Sequence, residues 1–269
     1  MERDMTVKRL AILLVSWLLM WPNLVFAKKT VVLATTHWAP YVRDDGAYKG
    51  YVFEIVKAAF LHQGYEVKIY FLPWARGLAM ARDGVVDGIF PEYDAPEKDK
   101  YFVYSMSFSG GPLGLYKRAN SGIHINIRNP KHNQTELFKS LRKYRFGVVT
   151  GYANTDAFDN NDSLTKIPAK SDQDNMRHLY EGMVDLVFID KHVADHLLQH
   201  ELPDEYRDKL LFLPPALGEK KLYLGISKKN PHYRQLLKAF NRGLIQIRRD
   251  GTLFKILDRD ARMTREVIA

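Results

Sequence analysis

The strongest constraint in this chain is a rhythm that occurs twice: a short apolar run rich in β-branched residues, then a loop, then a helical stretch. Residues 30–34 read as a buried strand and give way to THWAPYVRDDGAYKG, which has the Pro, Asp and Gly of a loop. Residues 51–62 then set Val52, Ile55, Val56, Ala59 and Phe60 on one helical face, and Gly64 stops the helix. A strand at 67–72, a helix at 74–82 ended by Gly84 and a strand at 85–90 complete the first block. The second block has strands at 146–150 and 184–189 and helical stretches at 154–158 and 175–181. The chain closes with a strand at 222–227 and helices at 233–249 and from 252 to about 257.

Strands alternating with helices predict an α/β fold in two lobes, each a mainly parallel sheet with helices on both faces. No low-complexity linker separates the blocks, so two short crossing strands, 113–118 and 221–226, are expected to form a hinge. The expected lobes are 28–116 with 222–269, and 117–221.

The first 27 residues read as an export signal. Lys8 and Arg9 precede a run without charge from Leu10 to Met20, Pro22 breaks it, and Val25, Phe26 and Ala27 supply a cleavage site. The uncharged stretch to Ala27 is short for a bilayer span and contains Pro22 and Asn23. The chain has no cysteine, which excludes a disulfide framework and a thiolate metal site; export without disulfides predicts a bacterial periplasm. Cleavage after Ala27 removes Arg3, Lys8 and Arg9 with Glu2 and Asp4, taking the formal charge from +9 to +8. The remaining Lys and Arg are scattered and no recognised nucleic-acid motif accompanies them, so nucleic acid is not an expected partner.

In open α/β sheets ligands bind beyond the carboxyl ends of the strands. The residues that follow the predicted strands are Trp38 and Tyr41, Trp74 and Arg76, then Glu92 and Tyr93; the second block supplies Gly151, Tyr152 and Asn154, and Asp190. So many aromatic and charged side chains at equivalent strand ends predict a pocket.

With these positions in hand, the chain resembles the family 3 extracytoplasmic solute-binding proteins, whose best-known members deliver polar amino acids to ABC transporters. The resemblance rests on the order and spacing of WAPY (38–41), GYVFEIV (50–56), LPWARGLAMARDGVVDG (72–88), APEKDKYFVYS (95–105), FGVVTGY (146–152) and YEGMVDLVFID (180–190), with the closing run through LYLGISKKNP to RRDGTLFKIL. It implies a type II periplasmic binding protein fold: two lobes, two hinge strands, and a small polar ligand between them. It also implies a monomer that presents its closed form to an inner-membrane ABC permease or to a membrane sensor, without a cofactor. Lys98 falls where the amino-acid binders of this family place an arginine that grips the α-carboxylate. Asp190 falls where they hold the α-ammonium. Trp38, Tyr41 and Tyr93 match aromatic walls, and Gly151 with Tyr152 matches a turn whose N–H groups face the ligand.

Lysine in place of arginine loses the two-pronged match to a carboxylate, which leaves an amino acid in doubt as the ligand. Arg76 could supply the missing guanidinium, or pair with Asp83 or Asp87. Glu92, Asp94 and Asp190 would suit a cation equally well. His192, His196 and His200 lie at helical spacing, but no third strong ligand is fixed beside any two of them and no metal site is expected. The fold is also similar to that of periplasmic cyclohexadienyl dehydratases, for which Glu92 is the one nameable acid.

Overall fold

The computed structural model describes residues 29–44, 46–94 and 98–266, so the signal peptide read at 1–27 lies outside the described residues. β1 (Lys29–Thr35) carries Val31, Leu33 and Ala34, all buried, because it is an inner strand. It pairs in parallel with β2 (Tyr65–Phe71) along its whole length and with β3 (Gly88–Glu92) on its other side. α1 (Tyr51–Leu61) follows β1 and buries the predicted face of Val52, Ile55, Val56, Ala59 and Phe60. α2 (Trp74–Asp83) follows β2, with Gly84 in the left-handed conformation closing it. β4 (Phe102–Tyr104) stands at the far edge of this sheet.

The second lobe begins at β5 (Pro112–Arg118) and continues through α3 (Gln134–Leu141), β6 (Arg145–Val149), α4 (Asp156–Asp159), β7 (Thr165–Ala169), α5 (Asp172–Tyr180) and β8 (Leu186–Asp190). α6 (Lys191–His196) runs into a π turn, Leu197–Glu201, before β9 (Leu210–Glu219). The chain then returns as β10 (Tyr223–Ser227), α7 (Tyr233–Arg249) and α8 (Thr252–Glu266). The sheet orders are β2-β1-β3-β10-β4 and β7-β6-β8-β5-β9. Phe138, Phe146, Phe158 and Phe188 fill the second core with ring centroids 4.9–6.2 Å apart.

The fold is thus two α/β lobes with a five-stranded sheet each, but the sheets are mixed rather than mainly parallel. β10 runs antiparallel to both β3 and β4, and β5 runs antiparallel to both β8 and β9. These reversed strands are the ones by which the chain enters one lobe and returns to the other. The hinge also differs from the expected strands 113–118 and 221–226. β5 pairs with β8 and β9 from Pro112 onward, so it belongs to the second sheet, and the lobe boundary expected at 116 moves back to the preceding loop. The crossings are 105–111 and 220–222, joined by paired Phe108 and Leu222 backbone hydrogen bonds (2.9 and 3.0 Å) and by Lys220 N–H donating to Gly111 C=O.

Candidate functional site

After β1 the chain folds back on itself through two backbone hydrogen bonds between Trp38 and Val42 (2.8 and 3.1 Å), and this brings the rings of Trp38 and Tyr41 to 4.7 Å. Both side chains reach the second lobe. Tyr41 Oη donates to the Asp190 carboxylate at 3.0 and 3.1 Å, and Tyr93 Oη donates to Oδ2 at 3.3 Å. Asp190 ends β8 and caps α6, accepting the N–H groups of His192 (2.9 Å) and Val193 (3.3 Å). Its carboxylate therefore holds four donors, two from each lobe. Burial pushes the Asp190 carboxyl up, opposed by the Tyr41 bond and by the nearby His192. Burial, then the Asp190 charge, pushes the Tyr41 and Tyr93 hydroxyls up, so both remain donors across the physiological range.

A second carboxylate lies beside this network. Asp172, the first residue of α5, follows the helix cap formed by Ser171 and is 5 % exposed. Its Oδ2 accepts Trp38 Nε1–H from the first lobe at 2.9 Å and Tyr152 Oη–H from its own at 3.1 Å. Burial pushes the Asp172 carboxyl up to about 7, against these two bonds, which favour the charged form. Further contacts cross the cleft at Gly151, in the left-handed turn after β6. Its carbonyl accepts Trp74 Nε1–H (3.3 Å) and Lys98 Nζ (3.2 Å). Lys98 Nζ also donates to Glu92 Oε1 at 2.8 Å, an ion pair in which Glu92 is 2 % exposed.

Two adjoining cavities open between the lobes and share Thr36, Trp38, Trp74 and Tyr152 as walls. The smaller, about 20 Å³, reaches Pro91, Glu92, Tyr93 and Ala153 and has room for one water. The larger, about 400 Å³, is closed by Lys170, Asp172, Gln173, Val193, Leu197 and Glu201, among others. At its outer edge Glu201 accepts His37 Nε2–H (2.9 Å) from the first lobe and lies 3.4 Å from His196 Nε2. The Asp44 N–H donates to His37 Nδ1, which leaves Nε2 to carry the proton toward Glu201. His196 first, then His37, hold the Glu201 carboxyl down at about 2.

Of the residues predicted from sequence, Trp38, Trp74, Glu92, Tyr93 and Tyr152 line the cavities, while Tyr41, Lys98, Gly151 and Asp190 form the bonds that span the lobes. Arg76 is exposed on the first turn of α2 and lines neither cavity. Asn154 is buried, and its backbone N–H and side-chain amide both donate to Asp159. Of the three histidines, His196 and His200 bring their rings to 4.7 Å across the junction of α6 with the π turn, while His192 meets Tyr41 and His196 also meets Glu201. Among the described residues no group of three or more His, Cys, Asp or Glu side chains could hold a metal ion. Sequence reasoning missed Asp172 and Glu201. SDQDN reads locally as a helix start, and only the contact with Trp38, 134 positions away, marks Asp172 as part of the cleft.

The model of the family described as bacterial extracellular solute-binding proteins, family 3, matches residues 31–259. Among solved structures, a histidine kinase sensor domain with similarity to periplasmic binding proteins superposes with a TM-score of 0.72 at 14% identity, covering 86% of this chain and 96% of that one. The substrate-binding protein of an amino acid ABC transporter gives 0.67 at 17% identity, covering 86% and 98%. The GluR0 ligand-binding core from Nostoc punctiforme, in complex with L-glutamate, gives 0.66 at 15% identity, covering 85% and 98%. At these identities the likeness is one of fold. A search of curated proteins returned no match.

Proposed function

Because the chain belongs to the family 3 bacterial extracellular solute-binding proteins, we propose that it captures a small polar ligand, an amino acid or related compound, between its lobes in the periplasm. It acts as a monomer, without catalysis, and presents its closed form to an inner-membrane ABC permease. The observation that carries this reading is the cleft itself. Trp38, Tyr41, Trp74 and Tyr93 come from one lobe, Tyr152, Asp172 and Asp190 from the other, and the Trp38–Asp172 and Tyr41–Asp190 bonds exist only when the lobes meet. A ligand that touches both walls adds its contacts to the closed state alone, so binding drives closure by population shift. A membrane sensor is the second reading for the partner, supported by the sensor-domain fold, since the closed surface would serve either role. A dehydratase reading is disfavoured because Glu92, the acid it would need, is buried in an ion pair with Lys98.

The test is a thermal-shift screen of the processed protein against amino acids, organic cations, small carboxylates and saccharides, with solution scattering on each hit. A ligand at about 100 times its Kd stabilises by about 2.7 kcal/mol, on the order of 5–11 °C for a chain of this size. The expected result is a shift from one chemical class together with a smaller radius of gyration. A chain that no class shifts, or that dehydrates prephenate or arogenate, is not the binding protein described above.

A further inference from the structure

Resting on that binding-protein reading, we propose that the cleft selects an organic cation lacking a carboxylate, its ammonium held by Asp172 against the rings of Trp38, Trp74 and Tyr152. The first ground is the inventory of charge. The larger cavity is walled by two carboxylates, Asp172 and Glu201, by His37, which with His196 already engages Glu201, and by one lysine, Lys170, which is exposed. Asp172 is thus the carboxylate there without a basic partner among the wall's hydrogen bonds, and no arginine lines either cavity. This acidity runs against the chain as a whole, whose formal charge is +9. A general excess of basic residues therefore does not explain the cleft.

The second ground is that the groups an α-amino acid would need are already engaged. Lys98 is committed to Glu92 and to the Gly151 carbonyl, and a ligand carboxylate would have to draw it from a partner that is itself 2 % exposed. An ammonium also lacks the planar fork with which a guanidinium matches a carboxylate. Asp190 has four donors, about as many as a carboxylate can accept, and it lines neither cavity. Asp172 differs. Its side-chain donors, Trp38 and Tyr152, both converge on Oδ2, and the residue forms part of the cavity wall.

The third ground is the shape of the walls. Tyr152 stands edge-on to Trp38 (6.4 Å, 85°) and to Trp74 (5.9 Å, 86°), so two indoles flank one phenol in a box with a carboxylate at its edge. Faces of Trp and Tyr attract a cation through the ring quadrupole, an attraction that grows as water is excluded. Closure also leaves Asp172 buried with its carboxyl pushed up to about 7, and a ligand ammonium supplies the positive charge that the neighbouring groups lack.

Calorimetry with matched pairs tests this on the unmodified protein: agmatine against arginine, cadaverine against lysine, choline against glycine betaine. We expect at least one amine to bind tenfold or more tightly than its carboxylate-bearing partner. Asp172→Asn should weaken that amine by tenfold or more while the far-ultraviolet spectrum stays unchanged, and Asp172→Glu should restore part of the loss. If the carboxylate-bearing members bind more tightly, or only an acid or a saccharide binds, the cation inference is overturned and the binding-protein reading stands. Equal affinity in Asp172→Asn overturns the role of Asp172. If no compound of any class binds, the binding-protein reading falls and the inference with it.

Discussion

Replacing Gly111 with alanine should force the lobes apart. An ideal Cβ at this position would lie 2.4 Å from Tyr41 Oη and 2.8 Å from each Asp190 carboxylate oxygen, inside the 3.0 Å that real Cβ atoms essentially never breach. Gly111 is not among the positive-φ glycines, so the conflict is one of space and not of backbone conformation. Neither neighbour can yield on its own. The Tyr41 ring is 1 % exposed and packed against Trp38 and Tyr51, and Asp190 is fixed by the two N–H groups it caps. Separating the lobes takes Tyr41 off the Cβ and frees Asp190, which pairs with Leu113 in the same lobe and cannot be carried away by opening, to turn its carboxylate aside. It removes the Tyr41 hydrogen bonds to a charged acceptor, about 1.5–3 kcal/mol. That energy moves the closed-to-open ratio by roughly 10- to 150-fold. Small-angle scattering should show a larger radius of gyration for ligand-free Gly111→Ala, and ligand affinity should fall by the closed fraction lost. The melting temperature should drop by about 3–12 °C. If the variant keeps the wild-type radius of gyration and melts within a degree of it, the Tyr41–Asp190 contact is not what holds the lobes together.

Asp172 makes stability depend on pH with a definite sign. Its carboxyl titrates near 3.8 when unfolded and at about 7 when folded, so between these values the folded state holds a proton that the unfolded state has lost. Stability should decline as pH rises from about 4 to 7, by up to roughly 4 kcal/mol from this group, and Asp172→Asn should remove that component. A difference curve between variant and wild type that is flat in urea unfolding from pH 4 to 8 would refute the assignment. Gly243→Ala should act on stability alone, because a Cβ on α7 would lie 1.9 Å from the Ala59 carbonyl oxygen of α1. The two helices would have to separate, and a loss of 1–3 kcal/mol or more is expected in chemical unfolding, with ligand affinity of the folded fraction unchanged.

The parts of this architecture that could be read in the sequence are those set by local periodicity. The apolar face of α1 and the strand ends that deliver Trp38, Trp74 and Tyr93 followed from spacing alone. β9 and β7 were missed because each contains proline, Pro214 and Pro215 in one and Pro168 in the other, and proline reads as a break in a strand pattern. Both strands stand at sheet edges, where a missing N–H costs no ladder bond. The hinge was displaced by several residues because LGLYKR has the alternation of a strand, and nothing local says which sheet a strand will join. Asp172 and Glu201 became site residues only through partners supplied by the other lobe, Trp38 and His37. Likewise, no spacing rule reveals that Lys98 would be engaged by Glu92 or that Tyr93 would spend its hydroxyl on Asp190.

The crossing at 105–111 and 220–222 has a mechanical meaning. Its two segments are tied to each other through Phe108 with Leu222 and through Lys220 with Gly111, and Ser105 extends the ladder to Leu224 at the start of β10. Two unconnected tethers would let the lobes twist, slide and tilt independently. A hydrogen-bonded ribbon resists shear between its strands and stretching along them, and bends readily only about an axis in its own plane. The lobes are thereby left with one soft coordinate, so that a single distance across the cleft, from His37 to Glu201, reports the position of the whole molecule along its opening path.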